Sequence, residues 1–191
     1  MTGAAVFLDR DGVLDQVDPN GWGPLTLSDL QMLDEAPDAV RRLRGANFVT
    51  VVVTNQPDVA RGSLTLATAN AINDQVQQEA GVDFVYTCFH DGDDCPCRKP
   101  RPGMLLDAAA DLDLDLDRSW LIGDRWVDIE AGRAAGVRTV LLEAPYSWQP
   151  TGAGAPPDGL LPLHRAGSLG DCVDFVLAGS SLRSDEQRGS P

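Results

Sequence analysis

Two aspartates, Asp9 and Asp11, stand directly behind the apolar run Ala4-Ala5-Val6-Phe7-Leu8, and Gly12 follows at once. A short apolar run ending in acids and a glycine reads as a buried strand that leaves its sheet through a turn. Side chains alternate along a strand, so Asp9 and Asp11 are expected on one face, at the edge where parallel sheets place their ligands. Carboxylates that close repel one another unless a cation or a shared proton intervenes. This chemistry suits a Mg²⁺ site in which Asp9 attacks a phosphorus atom and Asp11 moves a proton. A turn or a calcium loop is the plainer use of Asp-x-Asp-Gly. Here, however, Val13 stands where a calcium loop needs an oxygen ligand, and no glutamate occupies the closing position.

Other chemistry-bearing residues follow at strand ends. The run Val49-Thr50-Val51-Val52-Val53 leads into Thr54-Asn55-Gln56, whose hydroxyl and turn N–H groups can hold phosphoryl oxygens as charge develops. Trp120-Leu121-Ile122 leads into Gly123-Asp124, with Asp128 a helical turn later. Mg²⁺ prefers oxygen ligands and few carboxylates, so Asp9, the Asp11 backbone carbonyl and Asp124 are its expected ligands, with Asp128 behind them. A helix N-terminus also attracts acids, which leaves Asp128 open to a purely electrostatic role. Lys99 is the only lysine among 15 Lys and Arg residues. A compact ammonium can bridge a carboxylate and a phosphoryl oxygen where a planar guanidinium would not fit.

The cluster Cys88-x-His90-x₄-Cys95-x-Cys97 offers three thiolates and an imidazole, a closed tetrahedral zinc set with no open position. Such a site is structural, and it would brace the loop that carries Arg98 and Lys99. Cys172 reads as a small core residue and His164 as an ordinary surface histidine.

The elements that must position these residues alternate. Apolar, β-rich runs lie at 5–9, 48–54, 84–87, 120–124 and 139–142, and helical patterns at 36–45, 66–80, 103–112 and 127–135. Five strands with intervening helices imply one α/β domain, a Rossmann-like, right-handed, doubly wound parallel sheet with helices on both faces. The domain is expected to span 1–178, with the zinc loop at 88–99, a last helix at 169–178 and a disordered tail at 179–191. The broken segment 16–29 is either a substrate-contacting flap or simply a long loop. The run 149–159 is a Pro/Gly-rich loop.

At 191 residues and a net charge of −14, the chain suits one well-filled core. That charge argues against a nucleic-acid surface, and an anionic substrate would have to be drawn in by local cations: Arg10, Arg61, Arg98, Lys99, Arg101 and Arg125. No apolar stretch reaches the length of a membrane span, no basic leader precedes the first strand, and the clustered thiols suit a reducing compartment. A cytoplasmic monomer is the expectation.

Asp9-x-Asp11-Gly12, Thr54-Asn55-Gln56, Lys99 and Gly123-Asp124-x₃-Asp128 resemble, in order, the four motifs of the haloacid dehalogenase-like (HAD) phosphatases. Ala60-Arg61-Gly62, the Cys/His cluster with Arg98-Lys99-Pro100-Arg101-Pro102-Gly103-Met104, and Ala131-Gly132-x₃-Gly136 narrow the resemblance further. They are similar to the capless branch that includes heptose-bisphosphate phosphatases and histidinol-phosphatases.

This resemblance implies an aspartyl-phosphate on Asp9, proton transfer by Asp11, and phosphoryl stabilisation by Thr54 and Lys99. It implies Mg²⁺ at Asp124 and zinc at Cys88, His90, Cys95 and Cys97. Substrate contacts are expected from Arg10, Asn55, Gln56, Arg61, Arg98 and Arg125, with Arg98 at a distal group such as a second phosphate. The departures lie where specificity is set: Pro57-Asp58 after the Thr-Asn-Gln motif, Arg125 where lysine is usual, and only four residues between His90 and Cys95. The implied substrate is a small sugar phosphate, first a heptose 1,7-bisphosphate cleaved at C7 and second histidinol phosphate. From another class, a zinc-stabilised binding protein without turnover is the rival, and the intact Asp9, Asp11, Thr54, Lys99 and Asp124 set argues against it.

Overall fold

The computed structural model describes residues 3–92 and 95–188, with side chains described as far as residue 180. Among them, six strands form one parallel sheet: β1 (Ala5–Leu8), β2 (Val49–Asn55), β3 (Phe84–Cys88), β4 (Trp120–Gly123), β5 (Arg138–Leu142) and β6 (His164–Ala166). Their order is β3-β2-β1-β4-β5-β6. The helices are α1 (Ala36–Gly45), the short α2 (Asp58–Arg61), α3 (Leu66–Ala80), α4 (Gly103–Leu112), α5 (Trp126–Ala135) and α6 (Leu169–Arg188).

All four residues of β1 are buried, and its side chains divide between two cores. Val6 and Leu8 pack with Val40 and Leu43 of α1, Ile72 and Val76 of α3, and Val173 and Val176 of α6. Ala5 and Phe7 pack with Met104, Leu105 and Ala108 of α4 and Ala131 of α5. Burial on both faces is why the strand reads as a continuous apolar run and not as an alternating one. Each large apolar side chain so buried contributes about 1.5–3 kcal/mol, which fixes the strand end where Asp9 begins.

Three expectations are corrected. The sheet has six strands, not five: β6 is three residues long and carries His164 and Arg165, so no apolar run announces it. It forms because its backbone completes the edge of β5, with Val140, Leu141 and Leu142 opposite His164, Arg165 and Ala166. The His164 ring stacks on Phe175 at 4.1 Å, so it is a partly buried edge residue. The last helix runs Leu169–Arg188, past the expected end at residue 178, and residues 189–191 of the expected tail lie outside the described residues.

Gly132 shows how closely α5 lies on the sheet. A Cβ there would collide with Thr139 Cγ2 and stand 3.2 Å from Leu121 Cδ2 and 3.3 Å from Val137 Cγ2. Gly132→Val should therefore overpack this seam and cost about 1–3 kcal/mol. Urea unfolding should show a lower midpoint at an unchanged slope, and a midpoint equal to wild type would contradict this packing.

Candidate active site

The chain leaves β1 for β2 on one side and reaches β4 on the other, so the ends of β1 and β4 flank the switch point where doubly wound sheets bind ligands. Asp9 follows β1 and donates its N–H to Ile122 O at 3.0 Å, while Asp124 follows β4. Oxygens of Asp9, Asp124 and Asp128 lie within 4.8 Å of one another, and all three residues are buried. Lys99 reaches into the cluster from the far side of β2. Its Nζ stands 2.7 Å from Asp9 Oδ1 and 2.6 Å from Asp128 Oδ1, and it donates to Val53 O at 2.8 Å.

Three buried carboxylates and one ammonium leave the site short of positive charge, and the protonation tendencies say so. Burial pushes Asp9 up to about 7, helped by Asp128 and opposed by Lys99. Burial, then Asp9 and Asp128, hold Asp124 well above the carboxylate range. Burial also opposes the Lys99 charge, but Asp128 and Asp9 outweigh it and hold the ammonium above its ordinary range.

Neither Asp124 oxygen meets hydrogen-bond geometry with a described donor, the neighbouring Tyr146 hydroxyl included. Asp128 differs: Oδ1 pairs with Lys99 and Oδ2 accepts the Arg125 N–H at 3.0 Å. Asp9 Oδ1 is taken by the Arg10 N–H at 2.8 Å and by Lys99, so Asp9 Oδ2 and the Asp124 carboxylate supply the open oxygens, a hard-ligand set that fits Mg²⁺, with Asp128 behind them holding Lys99.

Asp11 is held by protein groups on both of its oxygens. Oδ1 accepts from Arg10 Nε at 3.0 Å and Nη2 at 2.5 Å, and Oδ2 accepts from Gln56 Nε2 at 2.7 Å. Arg10 is fully buried and also donates to Asn73 Oδ1 at 2.8 Å, while Gln56 donates to Thr54 Oγ1 at 3.0 Å. Arg10 and Gln56 therefore orient Asp11, and neither is among the residues that line the cleft. Asn55 lines the cleft but spends its amide on Lys99: Nδ2 donates to Lys99 O and Oδ1 accepts the Lys99 N–H, both at 3.0 Å. Thr54, fully buried, sits at the same strand end.

Above these residues lies a cavity of about 280 Å³, lined by Asp9, Asp11, Lys99 and Asp124 and by Arg61, Arg98 and Arg125 among others. Segment 16–29 supplies one wall through Asn20 and Trp22. Asp18 ties that turn by accepting the Asn20 and Trp22 N–H groups at 2.8 and 2.9 Å. Arg125 Nη2 donates to Asn20 O and Gly21 O at 3.0 and 2.8 Å, and its guanidinium lies between the Trp22 and Tyr146 rings. Arg125 thus anchors the flap, a role its sequence position does not reveal.

On the other side, Cys88, His90, Cys95 and Cys97 each bring a ligand atom within 4.8 Å of the others. The Cys88 and Cys97 sulfurs are 3.2 Å apart, and His90 Nδ1 is 3.3 Å from Cys97 Sγ. Three thiols and an imidazole converging so tightly fit a soft, tetrahedral cation such as Zn²⁺. Arg98 Nη1 donates to His90 O at 2.8 Å and Arg101 Nη1 to Cys95 O at 2.9 Å, which ties the cysteine loop to the segment bearing Lys99. The wall formed by residues 149–153 was not legible in the sequence, where the segment reads only as a Pro/Gly-rich loop.

Asp15 lies beneath Asp11, fully buried, with Oδ2 3.6 Å from Arg10 Nε. Burial first, and the Asp11 charge next, push it up to about 9 against the pull of Arg10. A folded-state value raised above the unfolded one favours the fold below the ordinary aspartate range, and that contribution fades as pH rises toward the folded value. Asp15→Asn mimics the neutral form, so its melting temperature should gain on wild type between about pH 5 and about pH 8. A difference that stays constant across that range would contradict a neutral Asp15.

Comparison with known proteins places the chain among phosphatases. A family model described as HAD-hydrolase-like matches residues 96–144. The D-glycero-beta-D-manno-heptose-1,7-bisphosphate 7-phosphatase of Escherichia coli K12 is 36% identical over 151 residues, covering 72% of this chain and 78% of the relative. The enzyme of that name from Bordetella bronchiseptica is 36% identical over 166 residues, covering 81% and 88%. The crystal structure of D,D-heptose 1,7-bisphosphate phosphatase from B. bronchiseptica, complexed with magnesium and phosphate, superposes with a TM-score of 0.75 at 32% identity, covering 92% of this chain and 99% of that one. The chain belongs to the HAD-like hydrolases, as a phosphoric monoester hydrolase related to the heptose-1,7-bisphosphate phosphatases.

Proposed function

We propose that this phosphatase hydrolyses D-glycero-D-manno-heptose 1,7-bisphosphate at C7, through an aspartyl-phosphate on Asp9 and with Mg²⁺ as cofactor. The observation that carries the reading is Lys99 Nζ, held between Asp9 and Asp128 at one end of a cavity that Arg61 and Arg98 also line. One pole suits a transferring phosphoryl group and the other a second anionic group.

In this reading the Asp9 carboxylate attacks phosphorus, and the bond to the C7 oxygen breaks as that oxygen takes the proton of Asp11. Asp11 then removes a proton from water, which attacks the aspartyl-phosphate, releases phosphate and restores Asp9. Arg10 and Gln56 keep Asp11 in place for both transfers. Thr54 and Lys99 meet the charge that develops on the phosphoryl oxygens. Mg²⁺, held by Asp9, the Asp11 carbonyl and Asp124, would add positive charge at those oxygens. Arg98, with Arg61, receives the distal phosphate.

Zinc at Cys88, His90, Cys95 and Cys97 completes the reading as a structural brace. The acidic balance and the thiol cluster support a cytoplasmic enzyme without a nucleic-acid or membrane partner, and a monomer completes the proposal. No helix among the described residues is long and apolar enough to cross a membrane. Histidinol phosphate is the second substrate reading, favoured by the short spacing between His90 and Cys95.

Asp9→Asn should abolish phosphate release from the bisphosphate while the circular dichroism spectrum stays native. Lys99→Ala should lower kcat by ~10² or more on every phosphomonoester, because the ammonium serves the phosphoryl group and not the leaving alcohol. Turnover near wild type by a folded Asp9→Asn protein would sink the mechanism. Comparing wild-type kcat/KM on heptose 1,7-bisphosphate and on histidinol phosphate decides between the substrates.

Elemental analysis of protein purified without added metal should find about one zinc per chain, retained through gel filtration. Protein that is folded, zinc-free and freely titratable at Cys88, Cys95 and Cys97 would refute the brace.

A further inference from the structure

The segment after β5 forms a held wall. Trp126 donates its N–H to Ser147 O at 2.9 Å and its Nε1–H to Gln149 O at 3.0 Å. Thr151 and Gly154 exchange backbone hydrogen bonds at 2.8 and 2.9 Å. Trp148 and Ala153 pack against the small core of Trp126, Val127, Ile129, Leu141 and Leu160. The turn is therefore braced from behind, and its residues 149–153 face the cleft.

Gly152 is the point where this wall meets the two arginines. A Cβ built there would lie 3.4 Å from Arg98 Nη2 and 4.0 Å from Arg61 Nη2. Its φ lies outside the left-handed region, so the backbone does not demand glycine. The other end of the Arg98 fork is spent on His90 O, and Asp91 Oδ1 stands 2.5 Å from Arg61 Nη2 and 4.0 Å from Arg98 Nη2. What glycine provides here is space, beside the Nη2 edge of a buried guanidinium.

We propose that Gly152 is a specificity-determining position: its missing side chain leaves the arginine-lined end of the cleft open to the distal anionic group of a bisphosphate. The proposal rests on the bisphosphate reading above and adds the loop that closes that end. A carboxylate at this position would pair with Arg98 and Arg61 and occupy the place of the incoming phosphate. It would leave the chemistry at Asp9 and Lys99 untouched.

The test is steady-state kinetics of wild type, Gly152→Asp and Gly152→Ala on heptose 1,7-bisphosphate and on heptose 7-phosphate, which lacks the distal group. Gly152→Asp should raise KM for the bisphosphate roughly tenfold or more, with kcat and the monophosphate constants within about twofold of wild type. Gly152→Ala makes only an ordinary contact and should raise the bisphosphate KM about two- to threefold, a selective change that decides the matter should the aspartate variant fail to fold. Equal effects on both substrates, or no effect on either, would overturn the role of Gly152. A wild type with no preference for the bisphosphate would overturn this role and the bisphosphate reading together. A clear wild-type preference that neither variant moves would overturn the role of Gly152 alone.

Discussion

The buried ammonium of Lys99, held between Asp9 and Asp128, is the interaction on which the rest of the site depends. A buried charge stripped of its partner typically costs about 3–5 kcal/mol, so loss of Lys99 would leave both carboxylates without their cation, whereas loss of Asp9 still leaves Lys99 paired with Asp128. Other groups keep Lys99 in place. The Asn55 amide grips its backbone in both directions, the Val53 carbonyl receives its Nζ, and the Arg125 N–H holds the second oxygen of Asp128. The sole lysine of the chain sits where a guanidinium, planar and bulkier, would match this arrangement of acceptors poorly.

The remaining architecture brings this ion pair to a substrate. Burial of β1 on both faces fixes the end from which Asp9 projects, and β4 sets Asp124 across the switch point. The cysteine loop delivers Arg98 and Lys99 as neighbours with separate tasks, one turned to the His90 carbonyl and Gly152, the other to the carboxylates. The flap is tied down by Arg125 between two aromatic rings, so the cleft has a preset wall. Preset walls of this kind lower the ordering cost of binding.

The fold and the placing of the acids at strand ends were legible in the sequence where local pattern decides them. Strand-end acids at Asp9, Asp11 and Asp124 stand out because apolar runs precede them, and α1, α3 and α4 begin and end where the 3.6-residue pattern says. What the pattern could not carry is pairing across the fold. Arg10 and Gln56 look like substrate ligands in a motif, yet their partner is Asp11. Arg125 lines the cleft, and its Nη2 also ties down the Asn20 and Gly21 carbonyls, a contact the sequence does not announce. β6 has three residues and no apolar run, so only the open edge of β5 explains it. Residues 149–153 carry no titratable side chain, and their importance comes solely from where Trp126 and Trp148 hold them.

In the proposed mechanism Asp9 Oδ2 and the Asp124 carboxylate are kept for a divalent cation, with Lys99 supplying the rest of the positive charge. Calorimetric titration of Mg²⁺ into metal-free protein, wild type beside Asp124→Asn, tests it most directly. Wild type should bind about one Mg²⁺ at the carboxylates, and the folded variant should lose that binding. Equal Mg²⁺ affinity in the two proteins, or none in wild type, would contradict the account.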